Sequence, residues 1–216
     1  PDSNVSITTS GSSSSGVFNI EAGKYLQLDG GTGWNITNTN AAAATAGIWL
    51  RQGAANNTIR RLNVSCGVDP RSSTVETFGI ISSGTAISNS SDGTNNDNNV
   101  IEYNTVTNAQ WGIYLRGDVG NANDNNIIRN NVVGPASFGP GQIRRGGIIA
   151  QHQNSVTVTQ NTVRSIGLES SDTATGTDAI AYGIGSNVVP IAATVMTNAI
   201  VTRNTASGVH TRKVNS

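Results

Sequence analysis

Ile101-Glu102-Tyr103-Asn104-Thr105-Val106, followed by Gly112-Ile113-Tyr114-Leu115-Arg116, is the stretch from which the architecture can be read. Its first part is an aliphatic residue, two variable ones, Asn, another variable one and a small aliphatic. That pattern returns as Ile128-Arg129-Asn130-Asn131-Val132-Val133, Val158-Thr159-Gln160-Asn161-Thr162-Val163 and Val201-Thr202-Arg203-Asn204-Thr205-Ala206. An earlier copy, Ile59-Arg60-Arg61-Leu62-Asn63-Val64, keeps the frame with Leu in place of Asn. The second part, Gly-Ile and an alternating tail, returns at Gly47, Gly79, Gly147 and Gly183, so that successive copies start 32, 33, 35 and 36 residues apart. Each part is too short for a helix and alternates with period two, which predicts strands of about 3 to 5 residues.

A two-part unit repeated at this period predicts a coil of short strands, stacked so that equivalent strands pair in parallel about 4.8 Å apart. Inward residues of successive turns then lie on one another. Ile48, Ile80, Ile113, Ile148 and Ile184 form one column, and Ile59, Ile101, Ile128, Val158 and Val201 another. Asn104, Asn131, Asn161 and Asn204 fall at one corner, where Asn tolerates left-handed backbone and its amide can bond the Asn above and below. Leu62 marks where that ladder stops. Tyr25-Leu26-Gln27-Leu28-Asp29 and Trp34-Asn35-Ile36-Thr37-Asn38 read as a degenerate first turn, making an all-β solenoid of about six turns. Residues 1–24, including the Ser/Gly run from Ser10 to Gly16, read as an N-terminal cap or linker, and 25–216 as the solenoid. No capping helix is expected in Thr211–Ser216, so further chain or another subunit is expected to cover that end. Extra residues must bulge out as loops, at Thr85–Asn98, Asp118–Asn125, Pro135–Gly146 and Gly167–Ala181.

Composition narrows the function classes. The 216 residues carry 13 basic and 13 acidic side chains, and the basic ones are scattered. This gives no general attraction to nucleic acid and no insertion into a membrane, since no run of about 18 apolar residues exists. The chain holds 27 Asn and 25 Gly but only 2 Lys and 4 Glu, a mixture rich in turn formers and poor in helix formers. One cysteine, Cys66, cannot form an internal disulfide and reads as a buried hydrophobe.

These signatures resemble the right-handed parallel β-helix repeat proteins, the pectin-lyase-like superfamily, over roughly residues 25–208. The resemblance implies a right-handed parallel β-helix. It extends to polysaccharide lyases, glycoside hydrolases, phage tailspikes and large bacterial cell-surface or secreted proteins. The Asn/Thr/Gly-rich, Lys-poor style looks most like the last group, where such modules are implicated in adhesion. An extracellular or cell-surface module presenting loops and a strand face to a glycan, a polysaccharide or other subunits of an assembly is therefore expected. The alternatives are an enzyme acting on an acidic polysaccharide and a stiff spacer.

Candidate residues follow from the repeat. The outward partners of the Gly-Ile strands are Trp49, Ile81, Tyr114 and Ile149, then Arg51, Ser83, Arg116 and Gln151, with His152 beside them. Aromatic faces next to cationic and amide groups suit a sugar, so Trp49, Arg51, Tyr114, Arg116, Gln151 and His152 are the candidates to bind one, the plainer alternative being that Trp49 and Tyr114 pack under a neighbouring loop. A lyase would use a basic residue to abstract a proton. Arg51, Arg116, Arg144, Arg145, His152, Lys24 and Lys213 are the candidates, with Arg116, Arg51 and Glu102 the favoured set. Glu102 is the one acid within a clear repeat strand, with Val100 and Asn104 as expected same-face neighbours. No recurrent paired-carboxylate pattern of the hydrolase kind is present. Asp92, Asp97, Asp118 and Asp124 gather hard oxygen donors of the type Ca²⁺ takes, without EF-hand spacing, and solvated turns are the plainer explanation.

Overall fold

The computed structural model describes residues 5–11, 13–40, 42–66, 75–139, 141–167, 181–186 and 196–210. Among these, twenty strands, numbered in chain order, pair only in parallel. One ladder climbs through the Gly-Ile strands: β2 (Ser15–Glu21), β4 (Thr45–Arg51), β6 (Thr77–Ser83), β9 (Ala109–Arg116), β13 (Ile143–Gln151) and β17 (Tyr182–Gly185). A second runs β3 (Gln27–Asn38), β5 (Thr58–Cys66), β7 (Val100–Glu102), β11 (Ile127–Arg129), β15 (Thr157–Thr159) and β19 (Ile200–Thr202). A third starts in the later halves of β3 and β5 and continues through β8 (Thr105–Thr107), β12 (Val132–Val133), β16 (Thr162–Gly167) and β20 (Thr205–His210). Three two-residue strands, β10 (Asn123–Asp124), β14 (Gln153–Asn154) and β18 (Met196–Thr197), form a small ladder of their own. The result is a β-solenoid of six stacked coils, as the repeat predicts.

The aliphatic columns are in register. Phe18, Ile48, Ile80, Ile113, Ile148 and Ile184 are successive partners, as are Leu28, Ile59, Ile101, Ile128, Val158 and Val201. A third column, Ile36, Val64, Val106, Val133, Val163 and Ala206, faces the glycines. Full burial of such a side chain contributes about 1.5 to 3 kcal/mol, so the interior rows dominate the stability. They also dictate the glycine of each repeat. A Cβ on Gly112 would lie 2.4 Å from Val133 Cγ1 and 2.5 Å from the Gly147 carbonyl oxygen. Gly47, Gly79 and Gly147 meet the same two obstacles. The glycine is there because the valine column and the next coil's carbonyl leave no space for a side chain.

Buried asparagines fasten coil to coil. Asn131 Oδ1 accepts the Asn104 N–H at 3.0 Å, and Asn131 Nδ2 donates to the Ile101 carbonyl at 2.9 Å. Asn161 and Asn204 repeat the arrangement one and two coils on, and Asn104 Oδ1 accepts the Leu62 N–H, which ends the ladder at that residue. A second ladder, through Asn57, Asn99 and Asn126 and closed by Gln153, was not anticipated. Its signal lies two residues before each aliphatic of the first part, at Asn57, Asn99 and Asn126. Val156 breaks the series and is buried as an apolar replacement.

One boundary differs from expectation. β2 holds full register with β4, so Ser15 and Gly16 belong to a strand of the first coil and not to a linker. The single β1 (Ser6–Thr9) lies along β3, Ile7 beside Ile36. At the other end, Ile200 and Val201 are 53% and 54% exposed. The expectations for Thr211–Ser216, and for most of the Gly167–Ala181 loop, lie outside the described residues.

Candidate functional site

The outward column of the Gly-Ile ladder is ordered as expected: Trp49, Ile81, Tyr114 and Ile149 are successive partners, Arg51 pairs with Ser83, and Gln151 with Arg116. It is not an open face. Ala46, Trp49, Phe78, Ile81, Ile87, Trp111, Tyr114 and Ile149 form a second apolar cluster outside the coil, and Ile87 comes from the loop after β6. Phe78, Trp111 and Tyr114 pack ring to ring, with centroids 5.3 to 6.5 Å apart. The physical reason is that a column of Trp, Ile, Tyr and Ile is too apolar to leave wet, so the loop 84–98 folds back over it.

The polar members are consumed in the same closure. Arg116 is only 2% exposed; its Nε donates to Asp92 Oδ1 at 2.6 Å and its Nη1 to Gln151 Oε1 at 2.9 Å. The Tyr114 hydroxyl donates to the same Gln151 oxygen at 2.7 Å. Burial pushes the Tyr114 phenol upward in pKa, so it is a fixed donor. Trp49 Nε1 donates to Ser83 Oγ at 2.8 Å, and Arg51 stacks over the Trp49 ring at 4.3 Å while pairing with Glu21 at 2.8 Å. His152 is buried in a left-handed conformation, and burial, then the Arg116 charge, lowers its pKa. Of the six expected sugar contacts, Arg51 alone keeps appreciable exposure.

The favoured lyase set is not brought together. Arg51 and Arg116 lie on the first ladder, whereas Glu102 ends β7 in the second. Tyr103, at φ 55°, turns the chain between Glu102 and Asn104, so the period of two does not cross that corner. Asn104 points inward while Glu102 stays outside, correcting the expected same-face pair. Glu102 accepts Arg129 at 2.7 Å, faces Arg60 at 3.8 Å, and belongs to a run of alternating charge, Asp29, Arg60, Glu102 and Arg129, across four coils. Arg61 also binds Asp29, and its guanidinium holds that carboxyl well below the ordinary range. Arg144 is buried, Arg145 is partly buried with its pKa lowered by desolvation, and Lys24 lies at an exposed turn. Lys213 lies outside the described residues.

Of the four acids weighed for Ca²⁺, Asp97 and Asp124 lie side by side, and each of the four is engaged in bonds of its own. Asp92 serves Arg116. Asp118 Oδ1 closes its own turn, accepting the Gly120 and Asn121 N–H groups at 2.7 and 3.1 Å. Asp97 Oδ1 accepts the Asp124 N–H at 2.7 Å, and Asp124 Oδ1 accepts Asn154 Nδ2 at 2.8 Å. Burial, with the nearby Asp124 charge, raises the Asp97 pKa. Among the described residues no group of three or more His, Cys, Asp or Glu side chains could hold a metal ion.

Two exposed features at the turns were missed. One is a cleft of about 370 Å³ across three coils, lined by Lys24, Gln52, Asn56, Asn95, Asp97 and Asn98 among others. The other is a ridge of left-handed residues immediately before the inward ladder position: Arg61, Tyr103, Asn130, Gln160 and Arg203, with φ between 54° and 57°. Its signal was the variable residue preceding each ladder asparagine. The chain matches no family model, no curated protein and no solved structure.

Proposed function

We propose that this chain is a non-catalytic extracellular β-helix module, part of a bacterial surface or secreted protein, which offers its turns and loops to glycan or protein partners. The finer kinship, with the right-handed pectin-lyase-like proteins and the large surface proteins among them, belongs to the same proposal and rests on the repeat signatures. The observation that carries it is the use made of the reactive side chains. Arg116 is buried against Asp92, and Glu102 is tied between Arg60 and Arg129 on another ladder. A base must be free to take a proton, and these two groups are engaged by charged partners on different ladders. Meanwhile the repeat builds a long, stiff scaffold whose exposed variety is concentrated in turns and loops, where binding residues normally sit.

The test is a panel of neutral and acidic polysaccharides presented to the intact chain, read both for binding and for new unsaturated or reducing ends. Retention on at least one polysaccharide without product is expected. Product formation that disappears in Arg116→Gln would overturn the reading in favour of a lyase.

A further inference from the structure

The interface that joins coil to coil is presented once more, unfilled, at the carboxyl-terminal end of the solenoid. Val201 is the register partner of Val158 and Val209 that of Ile166, yet Val201 is 54% and Val209 36% exposed where Val158 and Ile166 are 2% and 0%. Between Ile148, Ala150, Val158, Ile184, Met196 and Val201 the interior opens into an apolar cavity of about 240 Å³. Among the described residues β17, β19 and β20 each have a paired strand on one side alone. No Lys, Arg, Asp, Glu or Pro interrupts β19 or β20, and such residues are what keep a free strand edge from pairing with another chain.

The asparagine row defines what fits there. Inside the solenoid each ladder coil grips the amide of the coil after it. The Asn131 N–H and Nδ2 both donate to Asn161 Oδ1 at 3.0 Å, and Asn161 Nδ2 donates back to the Ile128 carbonyl at 3.0 Å. The Asn161 N–H and Nδ2 hold Asn204 Oδ1 in the same way, at 2.9 and 3.0 Å, with Asn204 Nδ2 on the Val158 carbonyl at 2.8 Å. A backbone bond lies beside this grip, from the Thr205 N–H to the Asn161 carbonyl at 2.9 Å. On the sixth coil the next set, the Asn204 N–H, Asn204 Nδ2 and the Val201 carbonyl, has no partner ahead of it among the described residues. These groups are set for one carboxamide, since two donors converge on its oxygen and one acceptor meets its N–H. A glutamine is longer by a methylene, and a carboxylate has no N–H to give. Copies of this chain do not supply that group. A second carboxyl-terminal end would turn donors toward donors, and the amino-terminal end has Trp34, register partner of Leu62, at the ladder position with Val5 beside it.

We infer that the carboxyl-terminal end of the solenoid docks a strand from another polypeptide, laid parallel to β19 and β20. Its asparagine fills the place beyond Asn204, and its aliphatic residues three before and two after that asparagine close the apolar mouth. Main-chain bonds to the free edge supply affinity and the amide sets register, as in strand addition generally. Such docking is independent of what the turns and loops bind. The test gives the intact chain a fluorescent synthetic peptide with the sequence of its own residues 155–167, which contains the required unit, and a second peptide carrying Asn161→Leu. Saturable binding of the first is expected, with affinity about tenfold or more lower for the second, since the amide's bonds are lost and the Asn204 donors stay unpaired. A photoreactive group on the first peptide should mark residues 196–210. The substitution sits in the peptide, so folding of the chain is untouched. Equal affinity of the two peptides overturns the role of the amide; no saturable binding of the first, or labelling at β1 or β2 instead, overturns the docking face. Self-association of the chain that excludes the first peptide assigns the face to a second copy and overturns the foreign strand.

Discussion

Asn131 illustrates how much one side chain carries at the residue scale. Its amide joins Asn104, Ile101 and Asn161 in a buried row, where an unmatched donor or acceptor costs about 1 to 3 kcal/mol. Asn131→Ala should therefore lower unfolding free energy in urea by about 2 to 4 kcal/mol, since more than one group is orphaned. Gly112→Ala should cost about 2 to 3 kcal/mol in the same measurement, because the new methyl meets Val133 and a carbonyl that the next coil holds in place. Cys66 is a different case. It is fully buried beside Thr45 Oγ1, and desolvation pushes its thiol up from 9.0 to about 12. A thiol whose folded pKa is raised adds stability that is complete below its unfolded value and is lost as the medium becomes more alkaline. Stability should fall between pH 9 and about 12, and less so in Cys66→Ala. The ladder asparagines and the valine row were legible in the sequence because both recur in a fixed frame. Glu102 was misplaced because alternation was carried across Tyr103, and nothing in a period of two announces a left-handed residue.

At the scale of elements, the loop 84–98 decides what the first ladder exposes. It is pinned by Asp92 to Arg116 and by Ile87 in the aromatic cluster. Removing one member of a buried ion pair leaves the other charge without compensation, so Asp92→Asn should cost about 1 to 3 kcal/mol, reduced from the usual figure because Asp92 itself is partly exposed. Limited proteolysis should then cut within 84–98 in the variant under conditions that leave the parent chain intact. The order of the outward column could be read from the sequence, since each Gly-Ile copy supplies the same positions. Its burial under a loop stood as the alternative to a sugar site, and the repeat did not decide between them because the cover is an insertion of irregular length with no copy to align it. A strand face rich in Trp, Tyr and Ile looks the same in sequence whether it meets a sugar or its own loop.

Taken whole, the molecule is a stack in which each coil touches only its neighbours, so stability is the sum of coil terms and coil-to-coil terms. The last coil has one neighbour among the described residues, and Ile200 and Val201 remain half exposed. Amide exchange should accordingly be faster in Ile200–Thr202 and Thr205–His210 than in the equivalent central strands Val100–Glu102 and Thr105–Thr107. The asparagine rows add a direction to this stack. Asn104, Asn131, Asn161 and Asn204 all donate backward, to Ile59, Ile101, Ile128 and Val158 of the preceding coil. Asn57, Asn99 and Asn126 also donate backward, to Gly23, Ala54 and Asn96, and Asn57 and Asn126 donate forward as well, to Asn99 and Gln153. A newly emerged turn thus carries fasteners to the turn already made, while its forward bonds, such as Asn131 Nδ2 to Asn161 Oδ1, are completed when the following coil arrives. Such a chain can close in the order it leaves a ribosome, amino end first, each coil docking on the one before it.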